Sequence, residues 1–341
     1  LNPWDYLRSI NEDAQVFAYV PGTFAYFAPE TNFNCNYHTL KCAISDQYDQ
    51  QDWWLRDPSA TGLNVVQPFG GSETLVNPTS SGWPAWYGAY ISDNVWDRQD
   101  VSTDYVWDGI HLDVMTSVPH HLLGPAWDLD RNNLNDQYEE AKGKPWMDEQ
   151  WEAGVQSFLT ELTTNMAASS NPGPIAVYGN GAWEPGWSGI NAPPNYGPYI
   201  QGAFDERFPT YPWYDPTACG PNTPTACPSI GAPWTAGNLW SFHMAQYMGW
   251  EDQAIDAPFY KTFYTDLSTD GSLFEQYVTT DEQSRRFIVA SVLAGGNGYA
   301  ATSLGYSARW CDECGVLDGR TSSAVAARGW LLCPFDVMRT V

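Results

Sequence analysis

The chain is predicted to fold as a closed (β/α)8 barrel, that is, a TIM barrel with long βα loops. Short apolar strands alternate with amphipathic helical stretches along its 341 residues, and this alternation is typical of a parallel α/β fold. A count of eight strands favours the closed barrel over an open sheet. Residues 1–306 would form the barrel, and residues 307–341 a C-terminal extension that packs on it or leads into a further segment.

The predicted strands are short apolar runs bounded by turn residues. In chain order they lie at residues 16–20, 52–56 with 65–69, 73–76, 106–114, 174–178, 203–208, 259–265 and 299–304. Amphipathic patterns predict helices at residues 83–95, 147–168, 239–248 and 284–293. No repeat of fixed period and no low-complexity tract interrupts this organisation.

The composition is strongly acidic and rich in aromatic residues. With 40 acidic against 15 basic residues, the formal charge of −25 argues against nucleic acid or an anionic membrane as partner. No stretch approaches the ~18 apolar residues of a membrane span. Aromatic residues reach 15%, and their rings suit stacking on the apolar faces of sugars. A large core explains many of these rings equally well.

The seven cysteines fall into three local groups: Cys35 with Cys42, Cys219 with Cys227, and Cys311 and Cys314 with Cys333. The first two groups predict disulfides that pin loops, which favours an extracellular or cell-surface location. Cys311 and Cys314 have the spacing of a zinc motif, but no second such motif lies nearby. A structural disulfide is therefore favoured there over a free or partner-linked thiol and over metal. Because residue 1 is Leu rather than an initiator Met, we expect a processed or excerpted chain from which any export signal has been removed.

Two predicted strands end in a carboxylate, Asp113 on the fourth and Glu206 on the sixth. Strand alternation places Ile110 and Leu112 on the helix-facing side, so His111 and Asp113 would face the barrel interior. Active sites of barrels lie at the C-terminal strand ends, where we expect the two acids to converge. In glycoside hydrolysis one acid protonates the leaving oxygen while the second attacks or activates water. The alternative is that each carboxylate only caps the loop that follows it.

Further residues near the predicted barrel mouth are candidates for contacts with a sugar. Their side chains carry the polar or aromatic groups that such sites use. The candidates are His111, Asn180, Trp183, Trp187, Tyr211, Tyr264 and Asp266. The polar ones can instead satisfy the backbone of their own loops. Glu184 is the main competitor of Glu206 for the acid role.

Residues 128–139, after the fourth strand, have the spacing of an EF-hand-like calcium loop, with oxygen-bearing side chains at positions 1, 3, 5, 9 and 12. The predicted ligands of a structural Ca2+ are Asp128, Asp130, Asn132, Leu134, Asp136 and Glu139. Position 6 needs a positive φ, which Asn133 tolerates best after Gly. Position 8 is Asn135 rather than an apolar residue, so a paired helix–loop–helix module is not expected. A solvated acidic turn is the alternative reading.

Taken in order, these motifs resemble a family of uncharacterised, hydrolase-like TIM-barrel proteins related to glycoside hydrolases. The matching segments are residues 11–16, 52–57, 75–79, 107–113, 128–139, 178–181 and 203–208. The resemblance implies a catalytic pair formed by the aspartate that ends strand four, Asp113, and the glutamate on strand six, Glu206. The chain departs from the family pattern at His111, where a Phe or Val is expected, and in the Cys-rich loop 215–233.

The sequence therefore predicts an exported, calcium-stabilised glycoside hydrolase that cleaves a neutral or weakly charged polysaccharide. Asp113 would be the nucleophile or base, and Glu206 the general acid. A second hypothesis is a non-catalytic cell-surface or filament-forming structural protein on a glycosidase-like barrel, assembled as a homo-oligomer or filament. A third is a carbohydrate-binding protein without turnover.

Overall fold

The computed structural model divides into two compact units. One comprises residues 1–188 and 192–200, and the other residues 189–191 and 201–341. The structure describes residues 8–9, 16–26, 39–58, 63–64, 73–99, 105–113, 115, 127–136, 138–139, 142–180, 196–206, 260–265 and 300–304. The predicted extension 307–341 and the predicted helices at 239–248 and 284–293 lie outside these ranges.

The first unit combines a small parallel sheet with three helices. Its strands are β1 (Phe17–Pro21), β2 (Phe24–Tyr26), β3 (Arg56–Asp57), β4 (Leu63–Asn64), β5 (Glu73–Leu75), β6 (Gly109–Asp113) and β7 (Val177–Asn180). Its helices are α1 (Thr39–Gln51), α2 (Trp83–Ile91), continued by a π-helical turn at Ser92–Trp96, and α3 (Gly143–Ala168), and a 3-10 turn covers Gly197–Tyr199. In the sheet, β6 lies between β1 and β7 and is parallel to both.

The second unit contains a parallel three-stranded sheet in the part that the structure describes. Its strands are β8 (Gly202–Glu206), β9 (Tyr260–Thr265) and β10 (Ala300–Leu304). The central strand is β9, which pairs in parallel with β8 and with β10. These three strands fall where the sequence predicts its sixth, seventh and eighth strands.

The prediction of a closed eight-stranded barrel is wrong for this structure. In such a barrel each strand pairs with its neighbours in sequence, but here β1 pairs directly with β6, the fourth predicted strand. The segments predicted as strands two and three are antiparallel instead: β3 pairs with β4, and β5 pairs with β2. These ladders are only two or three residues long, and an apolar run of that length does not indicate which neighbour it will pair with.

Both helices predicted in the first unit are confirmed, and they pack closely on each other. A methyl group added at Gly88 of α2 would lie 2.7 Å from the backbone nitrogen of Leu162 in α3. Phe158 of α3 packs against Trp83 and stacks on Tyr87 of α2, with ring centroids 5.0 and 5.2 Å apart. Such close approach buries aromatic surface between the helices, which is a main source of stability in a core of this kind.

Helix α1 was not predicted from the sequence. It buries Tyr48 together with Ile44 and Ser45, which precede Tyr48 by four and three residues and so share its face. Cys42 is also buried on this helix, and the other six cysteines lie outside the described residues. The predicted disulfide pairings therefore stay predictions, as does the extracellular location.

The two faces of the β1–β6–β7 sheet differ in chemistry. Ala18, Val20, Ile110, Leu112 and Val177 are buried and adjacent by register, so they form one apolar face. The alternate positions, which form the other face, hold Phe17, Tyr19, His111, Asp113 and Tyr178.

Among the described helices, none is both long enough and apolar enough to cross a membrane.

Candidate functional site

Three polar side chains lie together on the face of the β1–β6–β7 sheet that is opposite the apolar face. They are Tyr19, His111 and Asp113, and we call them the strand-end cluster. The Tyr19 hydroxyl donates a hydrogen bond to Oδ2 of Asp113. The rings of Tyr19 and His111, which pair in register, have centroids 5.6 Å apart at an angle of 45°. Tyr19 is 56% exposed, so its ring is accessible to a ligand.

The backbone of Asp113 is held by the turn that follows β1. The amide of Gly22 donates to the carbonyl oxygen of Asp113 over 2.7 Å. A side chain at Gly22 would clash with this carbonyl and come within 2.5 Å of the sulfur of Met115. Glycine is therefore required for the close approach. Asp113 is thus anchored at its backbone by this turn and at its carboxylate by β1.

Beneath the cluster, aromatic rings pack across the three strands. Phe17 pairs in register with Gly109 and Tyr178 with His111, and the ring centroids of Phe17 and Tyr178 are 4.4 Å apart. A side chain at Gly109 would clash with the Phe17 ring and lie 2.6 Å from the carbonyl oxygen of Ala176. Glycine at position 109 therefore leaves the space that the Phe17 ring occupies.

His111 is partly buried, and burial lowers the pKa of its imidazole, while the nearby Asp113 carboxylate acts in the opposite direction. Burial disfavours the charged form of a base, and here it has the larger effect. His111 is therefore neutral at neutral pH. A neutral imidazole can donate from one ring nitrogen and accept at the other, as a contact with a sugar hydroxyl requires.

Of the other predicted site residues, some are described at the backbone and the rest lie outside the described residues. Glu206 ends β8 in the second unit, where its backbone is in register with Tyr264 of β9. Because the predicted acids belong to different units, their pairing stays a prediction. Asn180 ends β7, one residue beyond Gly179, which pairs with Leu112. The predicted contacts outside the described residues are Trp183, Trp187, Tyr211 and Asp266, together with the competing acid Glu184.

A second concentration of carboxylates lies in residues 128–139, which we call the acidic loop. The two carboxylate oxygens of Asp128 accept from the amides of Asn132 and Asn133, at 3.0 and 2.9 Å. Oδ2 of Asp136, which is fully buried, accepts from the amide of Leu129 at 2.6 Å. Asn133 has a φ of 64°, the left-handed conformation that position 6 of such a loop needs.

An ammonium group lies among these carboxylates. Nζ of Lys142 is 2.6 Å from Asp130, 2.8 Å from Asp136 and also contacts Glu139. Burial alone would lower the pKa of Lys142, but its hydrogen bonds to the three carboxylates outweigh burial and raise it. One carboxylate oxygen from each of Asp128, Asp130 and Asp136 lies within 4.8 Å of the others. This acidic set therefore accommodates a cation.

The acidic loop is fastened to two segments that precede it in the chain. Nδ2 of Asn77 donates to the carbonyl of Leu129 over 2.7 Å. Arg131 donates to the carboxylate and the backbone carbonyl of Asp52. The acidic loop thus meets two other segments that were noted separately in the sequence, residues 52–57 and 75–79. The sequence did not point to Lys142 or Tyr19 as site residues. Lys142 could have been noticed because it follows the acidic loop by three residues in a chain that has few lysines.

Comparison with known protein families finds no matching family, and comparison with curated proteins finds no matching sequence. The resemblance to hydrolase-like proteins is not tested by these comparisons and stays a prediction.

Proposed function

We propose that this protein is an extracellular glycoside hydrolase that cleaves a neutral polysaccharide, with Asp113 as the nucleophile or base and Glu206 as the general acid. The observation that supports it most is the position of Asp113 at the C-terminal end of the central parallel strand, with a phenol on its carboxylate. Ligand sites of parallel α/β sheets lie at the carboxyl ends of the strands. A carboxylate held there is suited to attack an anomeric carbon or to activate water.

The surroundings of Asp113 support a sugar as the substrate. A sugar ring presents apolar C–H faces and polar hydroxyls, so its sites combine aromatic rings with hydrogen-bonding groups. The half-exposed ring of Tyr19 and the neutral imidazole of His111 supply both within the same cluster. The formal charge of −25 disfavours an anionic polymer and agrees with a neutral one.

The test is release of reducing sugar from a panel of neutral polysaccharides by the purified protein. We expect wild-type activity, a loss of at least about a thousandfold in Asp113→Asn and a similar loss in Glu206→Gln, because each removes a group that the reaction requires. Asp93→Asn, an exposed carboxylate on the π-helical turn, is the control and should be fully active. Folded wild-type protein that cleaves nothing, or Asp113→Asn with normal turnover, would reject the proposal. Regular polymerisation without turnover would support the structural alternative.

We also propose that the acidic loop binds a structural Ca2+. The ligands would be Asp128, Asp130, Asn132, Asp136 and Glu139, with the carbonyl of Leu134, as the loop spacing predicts. The left-handed Asn133 and the convergence of carboxylates on one ammonium support a cation at this position. Calcium and the Lys142 ammonium would then compete for the same oxygens.

The competition between calcium and the Lys142 ammonium can be tested by measuring calcium affinity by calorimetry and stability by thermal unfolding. Calcium should raise the unfolding temperature of the wild type, because a ligand that binds the folded state stabilises it. Lys142→Met should bind calcium more tightly, since the competing charge is gone, whereas Arg98→Met, which removes an exposed charge elsewhere, should not change the affinity. The absence of calcium binding in both the wild type and Lys142→Met would refute the site.

A further inference from the structure

We propose that Tyr19 is a positioning residue for Asp113 in the proposed reaction: its hydroxyl fixes the rotation of the carboxylate so that one oxygen points at the substrate. This inference rests on the proposed hydrolase function and names a residue that the sequence motifs do not contain. The Tyr19 hydroxyl donates a hydrogen bond to Oδ2 of Asp113.

The register of the two strands explains why tyrosine suits this position. Tyr19 pairs with His111, two residues before Asp113 on the same face. A step of two residues along a strand is about 6.6 Å, a distance that a tyrosine side chain covers and a serine or threonine does not. The Tyr19 ring leans along the strand past His111, with ring centroids 5.6 Å apart. The His111 imidazole thus supports the ring on its way to the carboxylate.

Only the carboxylate still needs orientation once the backbone is fixed. The Gly22 amide already holds the Asp113 carbonyl at 2.7 Å, so the strand end cannot shift easily. The side chain can still rotate about its Cβ–Cγ bond, where the barrier is low and the preference broad. A hydrogen bond from the phenol to Oδ2 selects one rotation, and a well-oriented reacting group contributes substantially to the rate.

Tyr19→Phe removes the hydroxyl and keeps the ring, which makes it the appropriate variant. On the polysaccharide that the wild type cleaves, we expect kcat to fall by about 10- to 100-fold, the cost of misplacing a reacting group. KM should stay within about twofold, because the ring remains available to the sugar. The unfolding temperature should stay unchanged, since the hydroxyl is at an exposed site. Tyr138→Phe, at a tyrosine that is 71% exposed on the acidic loop, is the matched control and should leave kcat unchanged.

Two further measurements separate positioning from a general structural effect. In the Asp113→Asn background, Tyr19→Phe should cause no additional loss of kcat, because the two residues act as one unit. The 13C carboxyl resonance of Asp113, assigned by its disappearance in Asp113→Asn, should shift in Tyr19→Phe and not in Tyr138→Phe. This spectroscopic measurement needs no substrate.

The outcomes distinguish this inference from the function it rests on. A wild type without turnover rejects the hydrolase proposal and with it the role in catalysis, while the carboxyl resonance still reports whether the hydrogen bond forms. An active wild type whose kcat is unchanged by Tyr19→Phe overturns the positioning role alone. An unmoved resonance in Tyr19→Phe overturns it as well, because no hydrogen bond would then orient the carboxylate.

Discussion

The strand-end cluster and the acidic loop are both built on aspartates, but they hold the carboxylates differently. Asp113 accepts from a neutral phenol and ends a strand of the sheet. Asp136 is fully buried in a loop and contacts the Lys142 ammonium at 2.8 Å. A neutral donor orients a carboxylate without cancelling its charge, whereas an ammonium compensates the charge. This difference agrees with the roles proposed above, chemistry for the first arrangement and stability for the second.

The two sites also differ in what fixes them. Sheet register and a glycine turn fix the strand-end cluster, so its geometry is set by packing against neighbouring strands. Side-chain hydrogen bonds from Asn77 and Arg131 fasten the acidic loop to its neighbours. Changes that affect packing should therefore disturb the first site, and changes that remove polar contacts should disturb the second.

The largest effect is expected from Gly109→Ala beneath the strand-end cluster. The added methyl group would clash with the Phe17 ring and lie 2.6 Å from the carbonyl of Ala176, which is backbone and cannot rotate away. We expect the free energy of unfolding to fall by about 3 kcal/mol, the upper part of the range for overpacking. Chemical denaturation measures this change.

Gly173→Ala is the control, because its nearest neighbour would be 3.1 Å away and is a side-chain atom of Asn171. It should cost well under ~1 kcal/mol, as substitutions away from tightly packed sites do. Calcium affinity of the acidic loop should be the same in both glycine variants if the two sites are independent. Equal stability of the two variants would show that Gly109 is not needed for close packing.

A smaller effect is expected from Asn77→Ala at the acidic loop. Asn77 is buried, and its loss leaves the Leu129 carbonyl with the Thr79 hydroxyl at 3.4 Å in place of the amide now 2.7 Å away. It also removes the oxygen that accepts from the Thr79 amide. Buried polar groups that lose their partners cost about 1–3 kcal/mol, so we expect a loss of roughly 2 kcal/mol in thermal or chemical unfolding.

Asn94→Ala is the comparison for this change, because the Asn94 amide makes a similar bond of 2.9 Å at an exposed site. Water can replace that bond, so the change in stability should stay within about 0.5 kcal/mol. If Asn77→Ala is as mild as Asn94→Ala, the loop does not depend on this polar contact.

The sequence predicted those features that depend on local pattern. The alternation of Ile110 and Leu112 with His111 and Asp113 follows from strand geometry alone, and the burial of the first two agrees with it. Helices α2 and α3 show the same for helical spacing. Asn133 was expected at a positive φ because of its residue type, and its φ of 64° agrees.

Features that depend on pairing across the chain were not predictable in this way. The contact of β1 with β6 joins residues about ninety positions apart, and no property of either strand states that the other is its neighbour. For the same reason the sequence pointed to Asp113 without Tyr19, and to the acidic loop without Lys142. Each missed residue is an ordinary side chain whose role arises only from the contact that the fold creates.

The smallest predicted effect is a pH dependence caused by His111. Burial lowers the pKa of His111 in the folded state, while its ordinary value is 6.5. Below pH 6.5 the unfolded chain binds a proton that the folded protein resists, so stability is lost as the pH falls. His111→Phe, which places a non-titrating ring at this position, removes that contribution. Between pH 7.5 and 5.5 the wild type should lose more stability than the variant, by at most about 1.4 kcal/mol. Unfolding curves measured at both pH values test this, and parallel losses in the two proteins would show that His111 is not held in its neutral form.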